Sequence, residues 1–481
     1  MCFSFSWVWD TTRDPYPLPS GRCLPGEALD AVAWHVVMKH LAAQAVTVDR
    51  MSDNETREFD IVLVGATGFV GRLTAAHLRD HAPEGVRIAL AGRSRERLDT
   101  LAAELGGAAA QWPRIVIDVA DPAACSDLVS RTRVLTTTVG PYAVYGGELV
   151  KACAMAGTHY ADLTGEVLFV RDTAESFHEV AQRSGARIVH SCGFDSIPSD
   201  LGVWETARVA EEEGAGTLTD TVLFVRKLKG GLSGGTIDSM RKQAIAARES
   251  VEDRRAIADP YGLSPDRAAE PTKADRVDHQ AEDGPSGALR SAVRGLRSRM
   301  PVRRTEDGHW TGPFVMASYN TRVVRRSNAL LGWRYGRAFR YHEVTDFGSR
   351  AKSPFVATGT TLGLLGLVAG MAFGPTRSAL DRFLPAPGEG PDEERRVNGR
   401  FVLEVVAGTT SGAKYATTVG ADADPGYNGT AIMLGQAALC LAEDDLDSAG
   451  GVITPAVAMA APLIERLRAH DFTITTRRCP D

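Results

Sequence analysis

The stretch Phe59-Asp60-Ile61-Val62-Leu63-Val64-Gly65-Ala66-Thr67-Gly68-Phe69-Val70-Gly71 decides the fold. Residues 59–64 form a short apolar run of strand length, and helical periodicity resumes at Phe69 and runs to Arg79. Between them Gly65, Gly68 and Gly71 stand in GxxGxxG spacing. A strand that turns at once into a helix needs a tight backbone bend, and a pyrophosphate laid on that bend needs amides unobstructed by side chains. The helix N-terminus then meets the phosphate charge. In a chain with 48 glycines such a triplet means little alone. Placed between a buried strand and a helix, it is specific for a dinucleotide turn.

Working outward, strand and helix patterns alternate. Strands are expected at Arg87–Ala91, Arg114–Ile117, Val134–Thr138, His159–Leu163 and Arg187–His190. Helices are expected at Arg95–Leu105, Gly147–Ala156 and Val167–Arg183. This rhythm implies βαβ units and a Rossmann-type parallel sheet with helices on both faces, an α/β fold. The nucleotide-binding domain is drawn at 57–192, and an α+β substrate or dimerisation domain at 193–477. Residues 1–56, rich in Pro and Gly at the start and lacking a basic n-region, are expected to be a disordered or wrongly included N-terminal extension.

The end of the second strand chooses the cofactor. Ala91-Gly92-Arg93-Ser94-Arg95 has no carboxylate to hold a ribose 2′-hydroxyl, but it has cations for a 2′-phosphate, so NADP(H) is expected. The cofactor-binding set read from the pattern is Gly65, Thr67, Gly68, Phe69, Val70, Gly71, Arg93, Ser94, Asp118, Gly140 and Pro141. Asp118 fits a turn aspartate equally well. Gly140-Pro141 would let backbone pass the nicotinamide ribose, and a plain turn is the rival reading.

For catalysis, loops after parallel strands offer Tyr142, Asp195 and Ser196 as candidates, with Tyr145 and His190 behind them. His190 ends an apolar strand and reads better as a satisfied core histidine. Helix capping explains Asp195 or Ser196 as well as chemistry does. No metal site is expected, because the seven cysteines form no CxxC pair.

FDIVLVGATGFVGRLTA (59–75), ALAGRS (89–94), TTVGPYAVYGGELVKACAMAGTHYADLTGE (137–166) and CGFDSIPSDLG (192–202) together resemble the saccharopine dehydrogenase-like oxidoreductases. With Trp310–Tyr341, the chain is most similar to the branch of actinobacterial trans-acting enoyl reductases. The resemblance covers most of 57–477. It implies an NADPH-binding Rossmann domain followed by a domain covering the nicotinamide. It also implies an enoyl reductase serving polyketide synthases of glycolipid biosynthesis, with Gly65 and Thr67–Val70 on the pyrophosphate, Arg93 and Ser94 on the adenosine phosphate, and Gly140–Tyr142 on the ribose side.

Beyond residue 193 the alternation breaks. Strands are expected at Thr219–Leu228, Phe314–Ser318, Ala338–Val344, Arg400–Ala407 and Lys414–Val419, and helices at Ile237–Arg248, Gly429–Ala442 and Pro455–Arg468. A polar insert is expected at 264–310, with arginines at 290, 294, 297, 299, 303 and 304 that suit either solvent or anionic lipid. Ser353–Thr376 carries no charge and, as a helix, would run roughly 36 Å. Spanning a membrane would separate strands of one sheet, so a re-entrant hairpin, a contact with a membrane surface or a helix buried in an interface is expected instead.

The composition, 44% hydrophobic and 24% charged, is that of a globular protein, and a net charge of −6 argues against a nucleic-acid partner. The expected partner is a lipid or polyketide chain, with its attachment to a carrier left open. Peripheral contact with the inner face of the plasma membrane and a homodimer also stay open for this cytoplasmic reading. Two rival functions remain. A saccharopine-dehydrogenase-type imine or carbonyl reductase would need arginines near the nicotinamide for substrate carboxylates, and Arg322, Arg325 and Arg326 are candidates. A non-catalytic NADPH-binding protein at a lipid surface would lack a proton donor there.

Overall fold

The computed structural model describes residues 57–230, 234–270, 301–372 and 398–480. Residues 1–56, the arginines at 290–299, most of the polar insert and residues 373–376 lie outside them. The first half runs β1 (Phe59–Val64), α1 (Phe69–His81), β2 (Ile88–Gly92), α2 (Arg95–Leu105), β3 (Arg114–Val116), α3 (Pro122–Ser130) and β4 (Thr132–Thr137). It continues through α4 (Tyr142–Tyr145), α5 (Gly147–Ala156), β5 (His159–Ala161), α6 (Val167–Ser184) and β6 (Arg187–Val189). The second half runs α7 (Ile197–Glu212), β7 (Leu218–Lys229), α8 (Gly234–Glu249), α9 (Val251–Ala258), β8 (Arg303–Arg304), β9 (Trp310–Pro313), α10 (Ala317–Leu330) and β10 (Arg340–Asp346). Then follow α11 (Ser353–Ala372), β11 (Arg400–Thr409), β12 (Lys414–Ala421), α12 (Asn428–Glu443), β13 (Gly451–Ile453), α13 (Pro455–Arg468) and β14 (Thr473–Arg478).

Two seven-stranded sheets result among the described residues. The first, in order β13-β6-β5-β4-β1-β2-β3, is parallel throughout. Its inner strand β1 is apolar on both sides because helices cover both faces, and Ile61, Val62 and Leu63 have no exposed surface. Each such side chain contributes roughly 1.5–3 kcal/mol by leaving water. The chain leaves β1 toward β2 and β3, then returns to place β4 on β1's other side. That reversal opens a crevice at the carboxyl ends of β1 and β4.

The sequence pattern did not foresee β13. It arrives from beyond residue 450 and pairs with β6, Val452 opposite Ile188, so the C-terminal half contributes a strand to the nucleotide-binding sheet. The second sheet, in order β14-β12-β11-β7-β10-β9-β8, is mixed. Only β7 and β10 run parallel; the other described pairings are antiparallel. Helix α7 lies on β11 and β12 and also on α13, so one core is continuous between the sheets. Asp200, buried on α7, accepts from the Ser327 hydroxyl of α10 at 2.5 Å and from the Ala456 amide of α13 at 2.8 Å. It ties three helices together.

One expectation fails here. The run Phe314–Ser318 is not a strand: β9 ends at Pro313, residues 314–316 turn, and α10 begins at Ala317. Its buried positions Tyr319, Val323, Arg326 and Ser327 recur at helical spacing, and the apolar start of the run fills core as a turn. Helix α11 has one covered side and one exposed side. Ala357 and Thr361 pack on β9, whereas Phe355 is 79% exposed and Leu362 63%. Among the described residues no helix is long and apolar enough to cross a membrane.

Candidate functional site

A cavity of about 520 Å³ occupies the crevice. At one end Gly65 takes φ +82°, and a Cβ there would lie 2.7 Å from Val139 Cγ2, so only glycine lets the loops after β1 and β4 approach this closely. Gly68 is the N-cap of α1 and supplies no side-chain hydrogen bond, which leaves first-turn amides for an anion. Thr67, Gly68, Phe69 and Val70 line the cavity. Gly71 does not. A Cβ on it would fall 2.2 Å from the Gly65 carbonyl, so it packs helix on turn and acts only through the loop's shape.

At the adenosine end Arg93 and Arg97 line the wall, with Asp118 opposite. Ser94 is not in the wall; it caps α2, accepting from the Arg97 amide at 3.3 Å. Arg95 is drawn to Asp99 at 3.0 Å, so of the cations near this turn Arg93 and Arg97 are the ones that line the wall. Asp118 accepts from Ala120 N at 3.0 Å, the turn bond weighed from sequence, while also facing the cavity.

The other end, where the nicotinamide is expected, gathers side chains from both halves. Gly140 and Pro141 line it, with Tyr142 beside them. The Tyr142 phenol is engaged, with the Thr137 carbonyl 3.3 Å and the Leu163 amide 3.2 Å away, so it packs the wall and has no proton free for donation. Asp195 does face the cavity, and among the described residues its carboxylate has no hydrogen-bond partner. Burial pushes its pKa up to about 6. Ser196 is absent from the wall: its hydroxyl is buried without a partner at the start of α7, so the catalytic expectation for it is corrected to a structural position.

His190 is the satisfied core histidine expected. Nδ1 lies 2.8 Å from Asp162 and Nε2 2.9 Å from Thr173. Asp162 is fully buried and also accepts from the Ser191 amide at 2.9 Å, the Thr164 amide at 3.1 Å and the Tyr160 hydroxyl at 3.0 Å. This cluster holds the ends of β5 and β6 together.

Several residues of the wall, and Glu166 buried behind it, carried no local marker in the sequence. Glu166 accepts from the Tyr142 and Ala143 amides at 3.0 and 2.9 Å and from the Ser239 hydroxyl of α8 at 3.2 Å. Gln243 of α8 donates to Gly165 O at 3.1 Å, so α8 is pinned across the cavity. Met316 and Tyr319 arrive from the start of α10, and Tyr427, before α12, meets Phe69 edge-on with ring centroids 4.9 Å apart. Their chemistry is visible only once α8, α10 and α12 close over the first sheet.

Arg322, Arg325 and Arg326 face away from this wall. Arg322 donates to the carbonyls of Asp259 and Ile257, Arg325 to those of Pro260 and Tyr341, and Arg326 to those of Leu263 and Val452. They fasten loops, and the expected carboxylate clamp is corrected. Among the described residues no His, Cys, Asp and Glu cluster suited to a metal occurs.

A glycine cradle on a parallel sheet, cations at the second strand and a covering second layer define an NADP-dependent oxidoreductase. Residues 61–189 match the family model of the saccharopine dehydrogenase NADP-binding domain. A Mycobacterium tuberculosis protein, named provisionally as a trans-acting enoyl reductase, is 46% identical over 427 residues, 88% of this chain and 98% of its own. The trans-acting enoyl reductase of Mycobacterium bovis BCG is 43% identical over 428 residues, again 88% and 98%. Apo saccharopine dehydrogenase (L-Glu forming) from Saccharomyces cerevisiae aligns with TM-score 0.48 and 13% identity over 87% of this chain and 99% of that one. The chain belongs to the trans-acting enoyl reductase branch of the saccharopine dehydrogenase-like oxidoreductases.

Proposed function

We propose that this NADPH-dependent oxidoreductase reduces the enoyl double bond of an acyl chain built by another enzyme. One observation carries the choice among reductions. Among the described residues, the arginines of the cavity wall are Arg93 and Arg97, both at the adenosine end, and the nicotinamide end presents two carboxyls, Asp195 and Asp238, of which Asp238 is paired with Arg241 and Lys242 of its own helix. An amino-acid imine would bring carboxylates that need a cation there. A neutral enoyl thioester needs a hydride and a proton, and a carboxyl with its pKa raised to about 6 is a fitting proton source. When bound, NADPH supplies the hydride. Gly65, Thr67–Val70 and Arg93 would hold it, Gly140 and Pro141 would pass its ribose, and Asp195 would protonate the α-carbon.

The relatives' names support a chain handed over from a separate enzyme. The apolar face of α11, Phe355, Val356, Leu362 and Leu365, follows the cations Arg350 and Lys352 and supports contact with an anionic lipid surface during that transfer. The test is NADPH absorbance loss with long-chain enoyl thioesters against keto acid and amine pairs. Turnover of the enoyl thioester is expected. Oxidation of NADPH only with the keto acid and amine pair would replace the enoyl reading with the imine one.

A further inference from the structure

We infer that Tyr319 is a catalytic residue that holds the carbonyl oxygen of the bound acyl thioester, with Ser191 as its positioning residue. The inference rests on the enoyl reading above and adds to it the group that stabilises the charge formed during reduction.

Tyr319 sits in the first turn of α10 and lines the cavity at the end where Asp195 stands. Its ring is 3% exposed, and its hydroxyl lies 2.5 Å from Ser191 Oγ. Ser191 also lies 2.8 Å from the Thr164 carbonyl, to which it donates. One serine proton therefore serves two acceptors. When it points to Thr164, the phenol donates to Ser191. When it turns to the phenol oxygen, the phenol proton no longer has Ser191 as its acceptor and is free for another.

The placement of Ser191 is enforced. Its φ is +66°, a left-handed conformation unusual for a residue with a Cβ, and its amide is held by buried Asp162 at 2.9 Å. The Asp162 cluster thus spends part of its hydrogen bonding on keeping one hydroxyl under Tyr319. Burial, with Asp162, Asp195 and Glu166 nearby, keeps the phenol protonated across the neutral range. It stays a donor and does not become an anion.

The electron count closes. Hydride adds to the β-carbon, and the pair displaced from the C=C bond moves to the thioester oxygen, where the Tyr319 O–H receives it as a hydrogen bond. The pair then returns to form a bond between the α-carbon and the proton of the Asp195 carboxyl. The products are a saturated acyl thioester, NADP⁺ and an Asp195 carboxylate that regains its proton from water. A preorganised donor aimed at a developing oxyanion is typically worth about 10²–10³ in kcat.

Tyr319→Phe deletes the hydroxyl alone. It is expected to bind NADPH within twofold of wild type by fluorescence titration and to lose about 10²–10³-fold in kcat with an enoyl thioester. Ser191→Gly suits the positive φ, so it keeps the fold while removing the positioning hydroxyl, and about a tenfold loss in kcat with little change in KM is expected. Deuterium exchange at the α-carbon of a saturated acyl thioester in D2O, with NADP⁺ bound, should slow in both variants without any hydride transfer. A wild type active on enoyl thioesters beside a Tyr319→Phe protein within threefold of it would overturn the assignment alone. If Tyr319→Phe misfolds, unchanged kcat and exchange in Ser191→Gly overturn it. A wild type that binds NADPH yet turns over no enoyl thioester overturns the enoyl reading and this assignment together.

Discussion

The two ends of the cavity are built on different principles. The phosphate end comes from one contiguous stretch, residues 64–70, and uses backbone: a glycine at positive φ, a helix start with bare amides, and two arginines one strand away. The nicotinamide end collects Tyr142, Asp195, Ser239, Met316, Tyr319 and Tyr427 from five separate segments and uses side chains. The first end recognises a constant cofactor and can be local. The second must match a substrate and place a proton, and no single turn of chain carries that many functional groups.

Changes at the nicotinamide end should act on kcat, and changes at the phosphate end on affinity. The largest effect is expected from Asp195→Asn, a fall of about 10²–10⁴ in kcat with NADPH affinity unchanged, read by stopped-flow NADPH oxidation and by titration. In wild type the acid form is the donor, so kcat should be flat below about pH 6 and fall roughly tenfold per pH unit above it. Stability has the opposite sense. The folded pKa is raised from 3.8 to about 6, so burying the ionised carboxylate costs stability that grows as pH rises from about 4 to 6. Asp195→Asn should therefore gain about 1–2 kcal/mol over wild type at pH 7 by thermal melting, and nothing at pH 3.5. A variant that loses both activity and NADPH binding would break the division between the two ends.

Gly71→Ala comes next. Its Cβ would collide with the Gly65 carbonyl, so the helix must lift from the turn, and NADPH affinity should drop by more than tenfold although residue 71 never touches the cofactor. Arg93→Ala should weaken NADPH about tenfold and leave NADH within twofold, with Arg97 retaining part of the 2′-phosphate contact. Equal losses for both nucleotides would place Arg93 on the adenine instead. The smallest effect concerns α11: Phe355→Asp with Leu362→Asp should cut partition onto anionic vesicles several-fold in flotation while leaving kcat with a soluble enoyl thioester unchanged.

The same contrast explains which parts were legible before the structure. The βαβ rhythm from Phe59 to Val189 and the glycine cradle follow from short-range rules: a buried strand must be apolar, a tight turn must lack a Cβ, and a helix start must face an anion. Gly65, Gly68 and Arg93 stand where those rules put them. Ser94 and Gly71 were read one step too directly, because an N-cap serine and a packing glycine look identical in sequence to cofactor contacts. The strand expected at Phe314–Ser318 failed because a five-residue apolar run fits a strand and a buried turn equally well.

The nucleotide-binding sheet, its parallel order of connection and the preference for a 2′-phosphate are legible along the chain, since each depends on neighbours a few residues apart. Only the tertiary structure decided that β13 joins that sheet from beyond residue 450, that Arg322, Arg325 and Arg326 are spent on carbonyls, and that Ser191 and Tyr319 meet across 128 positions of chain. Those outcomes depend on which distant surfaces pack together and which polar groups find partners once water is gone. Local pattern holds no record of either.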